Sequence, residues 1–362
     1  MAKELFEITD VDRRVYQEEL VSFLPDKMID IHTHVWLKKY RHRYPDNPKR
    51  TVTWPALVAE ENPIEDLFET YRLMFPGKQV TPLIFTSIIR SDDCDAQNNY
   101  IAECTRRLGV PSLLYAFPEW SGEELYQRIT AGHHLGIKVY LNLSPAYLPT
   151  AEIRIFDFVP HHQLALLNEH KMILMLHIPR DGRLGDPVNL AQMLEIERRF
   201  PDVRVIYAHV GRAYCPEDFG NAFEMLKKTE RLTFDFSATT LDEAIYRTLD
   251  TVGPQRVLFG SDLPILRMRM RRVCEDGNYV NIVPRGLYGD VSGDPHMREV
   301  SGSEAQELTF FMYEELKAFK RAATRFGATP DDIEAICYGN ANTLLRETGR
   351  RLYGESLTMK LV

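Results

Sequence analysis

The chain has 362 residues, 44% of them hydrophobic and 27% charged, so global disorder is excluded and one large α/β domain or two modest ones are allowed. With 44 basic against 52 acidic side chains the net charge is −8, which argues against a general nucleic-acid or anionic-membrane binder. Five widely spaced cysteines (Cys94, Cys104, Cys215, Cys274 and Cys337) form no CxxC, which argues against a disulfide framework and for a reducing compartment.

The N-terminus is charged throughout and carries no apolar signal core. No run reaches the roughly 18 apolar residues of a membrane span. Together these point to a cytoplasmic protein. Residues 9–24 read as a helix outside the main body. Eight short β-rich runs follow, at 28–36, 80–89, 110–120, 136–143, 172–179, 203–211, 232–238 and 257–264. Most are nearly continuous in apolar residues, as strands covered on both faces should be.

Between them lie helix-length segments. Residues 95–108 place Ile101, Cys104 and Leu108 on one stripe, with Asp93 or Asp95 as N-cap. Residues 187–199 open with Pro187 at a first helical position. Strand–helix alternation repeated eight times predicts a (β/α)8 barrel. Two long loops interrupt it, at 37–63 and 272–303, and both should lie at the mouth where strands end. Residues 304–326 and 330–347 read as closing helices. The expected organisation is an N-terminal extension over 1–27, one barrel over 28–350, and a tail over 351–362.

Chemistry-bearing residues gather at the predicted strand ends. Asp30, His32 and His34 stand in D-I-H-T-H on the first strand, where alternation would put all three on one face. Two imidazoles on one face suit a divalent metal, and Asp30 would be the acceptor that fixes a histidine tautomer. His177 ends the fifth strand, His209 the sixth and Asp262 the eighth. A barrel brings such scattered residues to one mouth, which predicts a metal site. His133, His134, His161, His162 and His170 read instead as exposed or packing histidines.

As a set, DIHTH, the histidines of strands five and six, GSD on strand eight and the late YGNANTLL (338–345) resemble the amidohydrolase superfamily over roughly residues 28–346. The branch resembled is the amidohydrolase-related group that includes aminocarboxymuconate-semialdehyde decarboxylase and resorcylate-type decarboxylases. The resemblance implies a metal-dependent barrel in which His32, His34, His177 and Asp262 are metal ligands. His209 would act on substrate or water beside the metal, and Asp262 would take up the proton of the attacking water. Lys138, in GIKVYL on strand four, would bridge a second metal if carboxylated, and otherwise contact substrate or pair with an acid. Zinc is the expected metal, with Mn, Fe or Co also suited.

Around this set, Arg212 in AHVGR offers a fork for a substrate carboxylate or an ion pair with Glu217 or Asp218. In LRMRMRR (266–272), most of Arg267, Arg269, Arg271 and Arg272 read as a solvated helix start paired with acids elsewhere, while one or two would face the mouth, with Arg267 a candidate substrate contact. Trp36 follows the metal strand and would pack on substrate, whereas Trp54 reads as lid packing; Trp120 also falls at a strand end. Cys215 reads as a small packing residue. No G-x-S-x-G elbow, P-loop or G-x-G-x-x-G occurs.

The leading expectation is a hydrolase acting on an amide, lactone or ester carbon of a small substrate, anionic or neutral. The alternative is a nonoxidative decarboxylase; DIHTH lacks the strand-one glutamate of the resorcylate type, although the aminocarboxymuconate type also carries an aspartate. A barrel that keeps its metal for structure or sensing is a third reading. The expected partner is a small molecule, with no nucleic acid or membrane, and a homodimer is the default assembly.

Overall fold

The computed structural model describes residues 5–41, 55–87, 89, 92–354 and 359–361. Eight short parallel strands form the centre: β1 (Lys27–His34), β2 (Gln79–Phe85), β3 (Leu114–Tyr115), β4 (Gly136–Val139), β5 (Ile173–Leu176), β6 (Arg204–Tyr207), β7 (Thr233–Asp235) and β8 (Val257–Leu258). β1 pairs with β2, and β3 to β8 pair in sequence order. Two irregular seams complete the ring. Ile84 exchanges backbone hydrogen bonds with Pro111 and Leu113 at 3.0 Å. Across the other seam Ile31 N donates to Phe259 O at 3.0 Å, Asp262 N to His32 O at 2.8 Å and His34 N to Leu263 O at 2.8 Å. The architecture is that of a (β/α)8 barrel.

Side chains from all round the ring fill the interior, among them Ile29, Ile31, Leu83, Leu113, Ile173, Met175, Ile206 and Leu258. Ala341 and Leu345 of the helix Asn340–Tyr353 belong to the same buried cluster. A second, larger cluster lies between strands and helices. Gly136 begins β4 at φ 153°, and a Cβ there would collide with the backbone of Ile173 on β5. Only glycine lets these two strands approach in this way.

The expected helices form with local reasons. Cys94–Leu108 is capped by Asp93, whose carboxylate accepts from Ala96 N, and ends at the left-handed Gly109. Pro187–Arg199 starts at its proline, with Asp186 accepting from Val188 N and Asn189 N. The N-terminal segment is a helix, Asp10–Val15, running into a π-helical turn, Tyr16–Leu20. Its buried Asp12 accepts from Arg269 at 2.6 and 2.9 Å and from Thr309 at 2.7 Å, which pins the segment to the barrel. The expected helix 304–326 splits into Ser303–Gln306 and Phe311–Phe326, because the chain between them pairs with residues 268–270. Residues 330–347 form Pro330–Glu334, a π-helical turn Ala335–Gly339 and Asn340–Tyr353.

Three expectations are corrected. The segment 272–303 is not an aperiodic loop: β9 (Arg271–Glu275) and β10 (Asn278–Pro284) form an antiparallel hairpin, and β11 (Met297–Val300) adds to β10 in parallel. The hairpin turns on Asp276 and Gly277, both at positive φ, the conformation that Asp-Gly favours. Cys215 and Cys274 form a disulfide, with Cα atoms 5.7 Å apart across 59 residues of sequence. Spacing along the chain had argued against this, but the barrel brings the β6 loop and the hairpin together. That bond removes the cysteine argument for a reducing compartment. The third correction concerns Asp30 and is given with the site.

In the other long loop, residues 42–54, Trp54 among them, lie outside the described residues. Trp36 is buried, donates its Nε1 to Glu60 O at 3.1 Å and carries the Arg41 guanidinium over its ring. Among the described residues no helix is long and apolar enough to cross a membrane.

Candidate metal centre

β1 does not alternate evenly. Asp30 pairs with Pro82 but Thr33 pairs with Ile84, so two residues of β1 oppose one of β2. This bulge shifts the faces of the strand. His32 comes to face the residues at the other strand ends. Asp30 turns instead to the outer helix Ile64–Met74, where it accepts from Tyr71 Oη at 2.9 Å, and it also accepts from Ser261 N at 2.9 Å. Burial raises its pKa to about 7. Asp30 therefore fixes no histidine ring, contrary to the expectation from alternation.

The carboxylate that does so is Asp235 at the end of β7. Its Oδ2 accepts from His32 Nδ1 at 2.9 Å, and its Oδ1 accepts from His209 N at 2.9 Å and from Ser237. His34 Nδ1 faces Thr86 O at 3.2 Å, and His209 Nδ1 faces Ser237 O at 3.0 Å. A carboxylate or carbonyl oxygen only accepts, so each of these Nδ1 atoms carries the proton. The Nε2 lone pairs of His32, His34 and His209 are thereby left unprotonated.

Those of His32 and His34 converge on Asp262. Its Oδ1 lies 3.1 Å from His34 Nε2 and 3.4 Å from His32 Nε2. Three acceptor atoms thus meet with no donor among them, and His32 Nε2 is buried with no hydrogen-bond partner. His32, His34 and Asp262 are one of two groups compact enough to hold a metal ion among the described residues; the other is His32, His209 and Asp235. Buried lone pairs aimed at a carboxylate repel one another unless a cation lies between them. The donor set fits a divalent metal, whose identity it does not fix.

Electrostatics agree. Burial lowers the pKa of His32, His34 and His177, and that of His209 to about 4, so all four rings are neutral near pH 7. Burial alone would raise the pKa of Asp262, but a proton entering the cluster on acidification goes to the neighbouring His34, His209 and His32 rings before the carboxylate, which holds Asp262 below the ordinary range. Asp235 is likewise brought to about 2, chiefly by His32 against the opposing effect of burial. Lys138 is fully buried beside Asp262 and Asp235, and desolvation brings its pKa down to about 8. At neutral pH two carboxylates face one ammonium, a balance that attracts a dication.

Backbone strain collects here. His209, Val210, Gly211 and Arg212 run through left-handed φ of 48–63°, and Asp262 stands at 57°. A β-branched residue at such an angle is a strong outlier, held in place by its surroundings. Gly260 of GSD lies so close to β1 that a Cβ would meet His32 Cβ at 2.9 Å. That close approach is what the glycine of this motif permits.

His177 lies next to this cluster, not within it. Its ring is 5.3 Å from that of His209 and 4.6 Å from Tyr140, and its Nδ1 is buried without a partner. Arg212 makes neither expected ion pair; its Nη1 donates to Pro179 O at 3.1 Å and Arg180 O at 3.2 Å. Its charge depresses the pKa of His177 and opposes the burial-driven rise of Tyr140. Asp218 pairs with Arg183 instead. Arg267 is committed to Asn62 and Asp66 O, and Arg269 to Asp12. Arg271 pairs with Glu304 at the surface.

Arg272 is the member of that run that reaches the mouth wall, donating to Ala238 O at 2.6 Å beneath Tyr214, Tyr279 and Phe311. Trp120 packs on Phe117 and Arg128. The five histidines expected to be exposed or packing lie elsewhere: His133 on Tyr353, His134 on Ser112, His161 on Phe156, His162 on Trp120 O and His170 on Tyr126.

Sequence reasoning missed Asp235 and Ser237. The available signal was D-x-S at the end of an otherwise apolar strand, the same pattern of polar residues two apart that marks H-x-H on β1.

Known proteins share this fold. Among solved structures, a 2-pyrone-4,6-dicarboxylic acid hydrolase assigned in Pseudomonas putida superposes with a TM-score of 0.52 at 14% identity, covering 89% of this chain and 98% of that one. A probable enzyme of the same description from Acinetobacter baumannii gives 0.52 at 15%, over 88% and 99%. The 5-carboxyvanillate decarboxylase of Sphingomonas paucimobilis gives 0.50 at 13%, over 89% and 99%. At these identities the likeness is one of fold. No curated protein matches the sequence. The amidohydrolase family profile matches residues 29–346, and the chain, with its bulged H-x-H strand and its cluster of strand-end histidines and aspartates, belongs to that family.

Proposed function

We propose that the chain is a metal-dependent hydrolase acting on the carbonyl-type carbon of an amide, lactone or ester in a small anionic substrate. The observation that carries this reading is the convergence of two histidine lone pairs on the ionised Asp262. His32, His34 and Asp262 would hold one divalent ion, with His177, which lies beside them, as a further ligand and zinc the first candidate. Such an ion supplies Lewis acidity toward a substrate oxygen and acidifies water.

The protein's own groups do the rest. Asp262, ionised near neutrality, takes the proton from the attacking water and returns it to the leaving group. His209, held by Ser237 and Asp235, presents Nε2 to orient that water. Lys138, buried and cationic below about pH 8, stabilises charge developing on the substrate. Arg212 lies close enough to act on the field at His177 and Tyr140, which suits a substrate carboxylate.

Decarboxylation of a small aromatic or unsaturated acid is the second reading. Lys138 favours it, because a buried ammonium beside the cluster suits a carboxylate. The fold is shared with hydrolases and decarboxylases alike. Turnover of a panel of carboxylated lactones, amides and esters, beside aromatic acids assayed for carbon dioxide, separates the two. In the hydrolase reading Asp262→Asn lowers kcat by about 10²–10⁴-fold. Unchanged turnover of an identified substrate sinks the assignment of Asp262, and carbon dioxide release without any hydrolysis replaces the first reading with the second.

A further inference from the structure

His209 owes its ring position to a short piece of chain after β7. Its Nδ1 meets both Ser237 O at 3.0 Å and Ser237 Oγ at 2.9 Å. The next residue, Ala238, stands at φ 52°, a conformation alanine adopts only when held. It is gripped from two sides. Ala238 N donates to the fully buried Glu315 carboxyl of the helix Phe311–Phe326 at 2.5 Å, and Ala238 O accepts from Arg272 Nη1 at 2.6 Å.

Arg272 belongs to no barrel element. It stands on β9 of the hairpin, where Nε donates to the buried Asn281 Oδ1 of β10 at 2.9 Å. Tyr214, Tyr279 and Phe311 surround its guanidinium at 4.6–4.7 Å. Two residues along the same strand, Cys274 is joined to Cys215, which follows Tyr214 in the loop leaving His209. The hairpin is therefore tied covalently to one side of the site while its arginine holds the other.

We propose that Arg272 is a positioning residue for His209, and that the Cys215–Cys274 disulfide is a reducible latch that keeps the hairpin, and with it Arg272, in place. Cys274 is exposed and Cys215 buried, so an incoming thiolate attacks Cys274 Sγ and Cys215 leaves, taking up a proton. A dithiol completes the exchange: the protein gains two thiols, and the dithiol is oxidised to its own disulfide. The hairpin then keeps only its noncovalent contacts, and Ala238 loses part of its restraint. The proposal needs His209 to belong to the site, but not any particular reaction there.

The test uses the full-length, metal-loaded protein isolated without reductant. Thiol alkylation read by mass spectrometry should find Cys215 and Cys274 protected, then reactive after dithiothreitol. Reduction should raise amide hydrogen exchange about tenfold over 271–284 and at Ala238. Long-range nitrogen spectra of the imidazoles should show His209 as a single Nδ1–H tautomer before reduction and a mixture after it. Cys274→Ser, at an exposed position, should reproduce the reduced state. Arg272→Met should disturb His209 with the disulfide intact, and Arg272→Lys, which keeps a donor, should restore the signature in part. Free thiols in the protein as isolated overturn the proposal. So does a hairpin that loosens while Ala238 and His209 stay unchanged, or an Arg272→Met protein whose His209 spectrum is that of the wild type.

Discussion

His134 shows how much a single buried side chain contributes away from the site. Its ring is buried, shares a hydrogen bond with Ser112 Oγ at 2.8 Å and packs over Gly132. Burial lowers its pKa to about 3 from an ordinary 6.5. Between those values the unfolded chain binds a proton that the folded one refuses. The contribution is therefore complete above pH 6.5 and is lost as pH falls toward 3. A shift of this size corresponds to at most about 5 kcal/mol. Chemical denaturation at pH 7 and pH 4 should show His134→Asn losing less stability on acidification than the wild type. An equal loss in both would assign the acid sensitivity elsewhere. His32, His34 and Asp262 were legible from their place at predicted strand ends, together with the resemblance to the amidohydrolase superfamily that gave them a common role. Asp235 was not legible: an aspartate in an apolar run declares its role only when the ring it serves lies opposite.

At the scale of elements, the strands were readable from apolar runs and the main helices from caps and prolines, while their irregularities were not. The β1 bulge reversed the assignment of Asp30, because alternation assumes an unbroken ladder. The hairpin was obscured by the five glycines and two prolines of 272–303, which read as loop, although Asp276-Gly277 between β-rich flanks was its local signal. Two substitutions test the elements. Gly136→Ala puts a methyl group into the β5 backbone at positive φ, and should cost several kcal/mol or prevent folding (about 3 or more, by analogy with overpacked sites). A thermal scan within a few degrees of wild type would show that β4 and β5 can separate there. Asp12→Ala leaves Arg269 largely buried without its carboxylate, and should cost about 3–5 kcal/mol. Denaturant titration checks this, and a change below about 1 kcal/mol would mean that the N-terminal segment is held by its apolar face alone.

The whole molecule joins these parts through one centre at the strand ends. A metal bound there stabilises only the folded chain, by about 2.7 kcal/mol when free metal is a hundredfold above its Kd. Chelation should accordingly lower the melting temperature, and restoring zinc or manganese should recover it. Elemental analysis of untagged protein should give close to one metal per chain. Close to two would point to a carboxylated Lys138 bridging a pair, and none after reconstitution would remove the centre.

The sequence by itself determined the barrel and the kinds of atom at its mouth, because apolar periodicity and donor chemistry are local properties. Only the tertiary structure decided which carboxylate orients His32, which arginine reaches the wall, and that Cys215 meets Cys274. These are relations between residues dozens to hundreds of positions apart, and they exist only once the ring of strands has closed.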